Sequence, residues 1–184
     1  KLVIIMMGLT LCLFSAQAVF AETSGDATSH VYVDVLPNIA VGVIAANVDI
    51  GAVQFGEFLT TVTFPVDANM QSVNIWAAAT DLFKGDDPNS EVLPLPLVRT
   101  EGILIDPTNA NPMDGASPVA AFDGNTSNID GFTAYNTNTI VFESSQNNHF
   151  SQDVDLTATW EQPDPEQPMG EYSGFVRIVC FLTP

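Results

Sequence analysis

The densest run of potential ligand oxygens in this 184-residue sequence is Asp123-Gly124-Asn125-Thr126-Ser127-Asn128-Ile129-Asp130-Gly131. Calcium takes about six to eight hard oxygens, and an oxygen-rich turn with glycine hinges can supply several of them. Asp123, Asn125 and Asp130 are therefore the candidate calcium ligands. The spacing is not that of an EF-hand loop, and the closing glutamate is missing. Asp86, Asp87 and Asp106 are looser candidates of the same kind. Asp, Asn and Gly also build turns with no ion present, and that reading stands beside the metal one. Asn125-Thr126-Ser127 is in addition a formal glycosylation sequon. No organic cofactor is called for.

Nucleophilic catalysis needs a base, and histidine occurs only at His30 and His149. Neither belongs to a G-x-S-x-G elbow, an H-E-x-x-H helix or a Cys/His zinc cluster. Paired carboxylates are everywhere in so acidic a chain and discriminate nothing. The sequence reads as that of a non-enzyme. Cys180 alternates with Val176, Ile178 and Leu182, the pattern of a small buried hydrophobe rather than a nucleophile.

Charge narrows the class further. Asp and Glu number 22 against four Lys and Arg, a formal net charge of −18. Such a surface is repelled by nucleic-acid phosphates and is equally poor for docking on anionic lipid. The N-terminus points to export. Lys1 precedes an apolar run from Leu2 to Phe14, and small residues follow through Ala21, the three parts of a secretory signal peptide. The apolar core is shorter than the roughly 20 residues of a spanning helix, so no stable membrane span is expected. Cleavage after Ala21 leaves Glu22 as the first residue of a secreted or cell-surface protein. Removal of the leader takes Cys12 with it and leaves Cys180 without an intrachain partner.

The elements that must position these residues are strands. Val31, Val33 and Val35 alternate with His30, Tyr32 and Asp34, a period of two, and Pro37-Asn38 ends the run. Ile39 to Ile50 reads as a buried strand, and Phe58 to Val66 and Gln71 to Leu82 as two more. Lys84 to Asn138 is dense in Asp, Asn, Gly and Pro, with short strands expected at the apolar runs Val92–Val98, Gly102–Ile105 and Val119–Phe122. It reads as one elaborated, loop-rich insertion. Alternation returns at Thr139–Phe142 and over Phe150–Trp160. The last predicted strand, Tyr172 to Leu182, is apolar on both faces, with Phe175, Val179 and Phe181 opposite the Val176 face. No segment has a helical period. The whole describes an all-β sandwich over residues 22–184, with Phe175, Val179 and Phe181 covered by the insertion or by a neighbouring subunit.

Gly170-Glu171-Tyr172-Ser173-Gly174-Phe175-Val176-Arg177-Ile178 resembles the closing G-x-Y-x-x-x-V-x-I strand of fimbrial subunits, including the spore-coat-U-like pilins. Ile50-Gly51-Ala52-Val53-Gln54-Phe55-Gly56 resembles their early I-x-x-x-x-F-G turn. The two motifs span about a tenth of residues 22–184. The chain departs from the family in lacking its cysteine pair and in the length of the insertion. The resemblance implies an immunoglobulin-like sandwich whose missing edge is completed by the N-terminal strand of the next subunit. Residues 27–36 are then the donor strand, with Val31, Val33 and Val35 entering the neighbour beside Phe175, Val179 and Phe181. The partners implied are a second subunit and a periplasmic chaperone. The alternative is an extracellular module that binds carbohydrate, or ligands bridged by calcium, through the insertion.

Overall fold

A computed structural model describes residues 30–45 and 47–182. The leader assignment falls outside them. The chain divides into two units at Val35 and Leu36. In the first, His30–Val35 belong to no strand, which corrects the expectation of a strand there. Val31, Val33 and Val35 are 84%, 83% and 78% exposed. Alternation supplies an apolar face, but a strand forms only where a partner backbone receives its hydrogen bonds.

The second unit is built of thirteen strands, with no α-helix among the described residues. They are β1 (Ile39–Val41), β2 (Gly56–Ala68), β3 (Ser72–Thr80), β4 (Phe83–Lys84), β5 (Ile103–Pro107), β6 (Ala110–Pro112) and β7 (Val119–Ala120). There follow β8 (Phe122–Ile129), β9 (Phe132–Thr137), β10 (Ile140–Ser144), β11 (Phe150–Gln162), β12 (Tyr172–Ser173) and β13 (Val176–Phe181). One antiparallel sheet has the order β1-β2-β11-β5-β7. In a second, β3 carries β10 and β9 along one side and β13 along the opposite side, while β6 extends β10 and β8 extends β9; β4 and β12 pair in a small third sheet. Alternate residues of both sheets enclose one core, which includes Val66, Ile75, Ile103, Phe142, Leu156 and Trp160. This is a sandwich-like all-β arrangement, as the alternation predicts.

The two long strands set its frame. β2 and β11 pair over their full length, Gly56 opposite Gln162 through Ala68 opposite Phe150. Inward Val154, Leu156, Ala158 and Trp160 are essentially unexposed. Trp160 ties the sheets together, because its indole Nε1–H donates to the Thr80 carbonyl at 2.8 Å.

Three segments depart from the sequence reading. Among its described residues, the apolar run Ile39–Ile50 forms a strand only over Ile39–Val41, and Val43, Ile44, Val48 and Ile50 are exposed. In the insertion, the expected short strands at Gly102–Ile105 and Val119–Phe122 fall on β5, β7 and the start of β8, and its part in the core is larger than expected. The insertion contributes β5 to one sheet and β9 to the other, and buries Ile103, Ile105, Phe132 and Ala134. Within it, Val92–Val98 forms only isolated bridges, Leu95 with Leu82 and Leu97 with Trp160. Finally, Tyr172–Leu182 is broken in two at Gly174-Phe175. There the Phe175 N–H donates to Thr80 Oγ1 at 2.9 Å, and a Cβ on Gly174 would lie 2.6 Å from the Asp81 carbonyl oxygen. Only glycine permits that approach.

Candidate functional site

β13 pairs with β3 on one side, and no strand pairs with its other side among the described residues. An antiparallel edge strand leaves every second N–H and C=O pointing outward. The side chains facing the core from this edge are Val176, Ile178, Cys180 and Leu182. Ile178 is buried, while the other three pack on the core yet stay half-exposed. Desolvation pushes the Cys180 thiol up to about 12, so it is a poor nucleophile at neutral pH.

The other sheet ends nearby in the same way. β1 pairs only with β2 and approaches β13. Its line continues irregularly, with the Gly42 N–H on the Pro65 carbonyl at 2.9 Å and the Ile44 N–H on that of Thr63 at 3.3 Å. Ile39 is half-buried and Val41 is 43% exposed. Both sheets thus terminate in a strand whose apolar side lacks a complete cover. Asn69 fixes the approach to β1: its Oδ1 accepts from Asn38 N–H at 2.7 Å and its Nδ2 donates to the Leu36 carbonyl at 2.9 Å, bracketing Pro37.

The outer face of β13 is occupied by the chain itself over half its length. Phe175 packs edge-on against Phe132, with centroids 5.2 Å apart, and Phe132 against Phe83 at 5.4 Å. Phe175, half-buried, thus packs on a ring of its own subunit. Arg177 stands opposite Ala78, which is wholly buried although it lies on the outer face. The guanidinium sits 5.7 Å from the Trp76 ring centroid and donates to Ser127 Oγ at 2.6 Å. Arg177 Nε is buried without a partner, and no carboxylate pairs with this guanidinium among the described residues. Val179, opposite Trp76, is half-buried, and Phe181, opposite Asn74, is 41% exposed. Of the residues assigned to an interface from sequence, Val31, Val33, Val35 and Phe181 are exposed. The residues missed are Val176, Cys180 and Leu182. Their shared face was legible, but it was read as finished core.

The calcium candidates do not converge. Both Asp123 carboxylate oxygens serve Asn125, accepting its N–H at 2.7 Å and its Nδ2–H at 2.9 Å. Those bonds hold the Asp123 carboxyl below its ordinary range. Asp130 lies beyond the far end of β8, in the tight turn to β9, where Asp130 and Gly131 take φ of 51° and 92°. An Asp-Gly pair with both φ positive suits such a two-residue hairpin turn. The extended strand between Asp123 and Asp130 separates them by on the order of 20 Å, too far to share an ion. Asp86 instead accepts from Ser173 Oγ, and Asp87 from Asn89 N–H. Thermal melting in calcium and in EDTA is expected to give superimposable curves. A calcium-dependent rise abolished by Asp123→Asn would show that the loop rearranges to bind.

His149 donates from Nδ1 to the Asn147 carbonyl at 2.9 Å, and with Asp67, Asn69 and Ser151 it lines a shallow cavity of about 380 Å³ beside β1. His30 Nδ1 lies 2.6 Å from the Tyr32 hydroxyl. The chain matches no protein-family model, no curated protein and no solved structure.

Proposed function

We infer that this chain is a structural subunit of an exported surface filament, and that its subunits join by strand exchange. The observation that carries the reading is the open β13 edge. Its inward side chains pack on the core, and all but Ile178 remain half-exposed. The N-terminal segment supplies what that edge lacks, a free alternating run in which Val31, Val33 and Val35 are exposed and unpaired. Addition of a strand to a sheet edge takes its affinity from main-chain hydrogen bonds and its specificity from pockets for alternate side chains. On this reading the unit is an immunoglobulin-like sandwich lacking one strand. A periplasmic chaperone covers the edge before assembly, because an uncovered apolar edge aggregates.

Electron microscopy of the protein beginning at Glu22 tests the reading directly. Unbranched filaments are expected, or short rods at low concentration. A monodisperse monomer at every concentration, by microscopy and light scattering, would overturn it. The cavity at Asp67, Asn69, His149 and Ser151 favours a second reading, a module that binds extracellular glycans. A glycan-array signal lost on His149→Ala would support that one.

A further inference from the structure

Resting on the strand-exchange reading, the geometry points to one direction and one register for the incoming segment: antiparallel to β13, with Asp34 of one copy beside Arg177 of the next. β13 offers six residues, Val176–Phe181, on its free side. The exposed run His30–Val35 matches that length and has the same alternation. With Val35 opposite Val176, Val33 falls opposite Ile178 and Val31 opposite Cys180, all on the core side. On the outer side, Asp34 falls opposite Arg177, Tyr32 opposite Val179 and His30 opposite Phe181. A slip of one residue turns all three valines away from the core. A slip of two leaves one valine beyond the strand and moves Asp34 to Val179 or Phe175.

The parallel direction fails on backbone chemistry. With Asp34 kept beside Arg177, it places Val31 against Gly174, Tyr32 against the covered Phe175, and Pro37 against Cys180. Proline has no N–H to give a ladder. The antiparallel register also answers a local imbalance. Arg177 is the one cation of β13, has a buried Nε without a partner, and pairs with no carboxylate among the described residues. Asp34 is the one acid of the His30–Val35 run and is exposed. Opposite charges directly across a ladder stabilise the pairing, and like charges oppose it.

Cys180 is the only cysteine among the described residues, and that makes the register measurable in the whole exported chain. Residues directly opposed in an antiparallel pair have Cα atoms about 4.5–5.5 Å apart, within disulfide range. Val31→Cys, under an added oxidant, is expected to give a covalent ladder of oligomers through Cys180 of the neighbour, and Val33→Cys is not. Asp34→Arg is expected to raise the concentration needed for assembly about five- to tenfold. Adding Arg177→Glu should recover most of that loss. If oligomers form but Val33→Cys links in place of Val31→Cys, or Asp34→Arg assembles like the parent, the register is wrong and strand exchange stands. If the unmodified chain forms no oligomers, both fall together. Val31 and Asp34 are exposed, so these variants fold even where Arg177→Glu does not.

Discussion

A chain lacking residues 22–35 is expected to fold, to stay monomeric, and to gain stability when a peptide of residues 27–36 is added. The deletion removes no member of β1–β13, and the valines it takes are exposed, so its melting temperature should change little. On the strand-exchange reading assembly should vanish, because that reading has the missing segment pair with the next subunit. Each valine taken out of water contributes roughly 1.5–3 kcal/mol, an upper figure because unfolded chains are already partly compact. Three of them, with the ladder bonds, must offset association costs of about 4 kcal/mol or more. The surplus is small for one strand in isolation. A dissociation constant in the micromolar range or weaker is therefore expected for the free peptide. At a hundredfold excess over that constant, the peptide should stabilise the truncated chain by about 2.7 kcal/mol, or roughly 5–10 °C at this size. Replacing Val31 and Val33 by Asp in the peptide should abolish the shift. If the truncated chain is unfolded, the segment is a structural part of its own subunit, and the exchange reading is lost.

The contrast between β11 and the segments around it shows what a sequence can and cannot specify here. Over Phe150–Trp160 the alternation is strict and the core covers one face, so pattern and burial agree residue by residue. Ala77–Ala79 are strong helix formers, yet pairing on both sides of β3 makes them part of a central strand. A small side chain suits Ala78 because the long arm of Arg177 stands opposite it. β8 was illegible for the opposite reason. Asp-Gly-Asn-Thr-Ser-Asn has no apolar period, and the segment is a strand because its backbone pairs with β9, with a register shift between Phe122 and Thr126. That same extension parts the candidate calcium ligands, since residues close in sequence are far apart along a strand. Ile39–Ile50 failed in the reverse direction. Its apolar content was visible, but burial depends on a partner that composition does not encode. The open edge itself was half legible. The doubly apolar last strand was apparent in the sequence, whereas its inward face at Val176, Cys180 and Leu182 became a candidate site only once β13 proved to be the sheet's last strand.

The largest loss of stability from a single substitution should come from Trp160→Ala. Trp160 is 1% exposed, stacks on Phe58 with centroids 6.5 Å apart, and spans from β11 to the carbonyl of Thr80 at the end of β3. Truncating a buried tryptophan to alanine costs about 3–5 kcal/mol through lost transfer energy and the cavity left behind. The Thr80 carbonyl, in a residue that is itself fully buried, would also lose a donor, at about 1–3 kcal/mol. Against a total stability of about 5–15 kcal/mol, the variant should unfold at a far lower urea concentration and melt roughly 10–20 °C earlier. Trp160→Phe separates the two contributions. It keeps most of the apolar volume, drops the indole donor, and should cost about 1–3 kcal/mol. Trp76→Ala is the control, because Trp76 is half-exposed on the outer face and its loss should be much smaller. The same Thr80 that receives the indole also accepts from Phe175 N–H at the break before β13. A loosened Trp160 should therefore reach the open edge, and Trp160→Phe should weaken peptide capture beyond its cost in global stability. Equal urea midpoints for the Trp160→Ala and parent chains would show that the sheets are held together elsewhere.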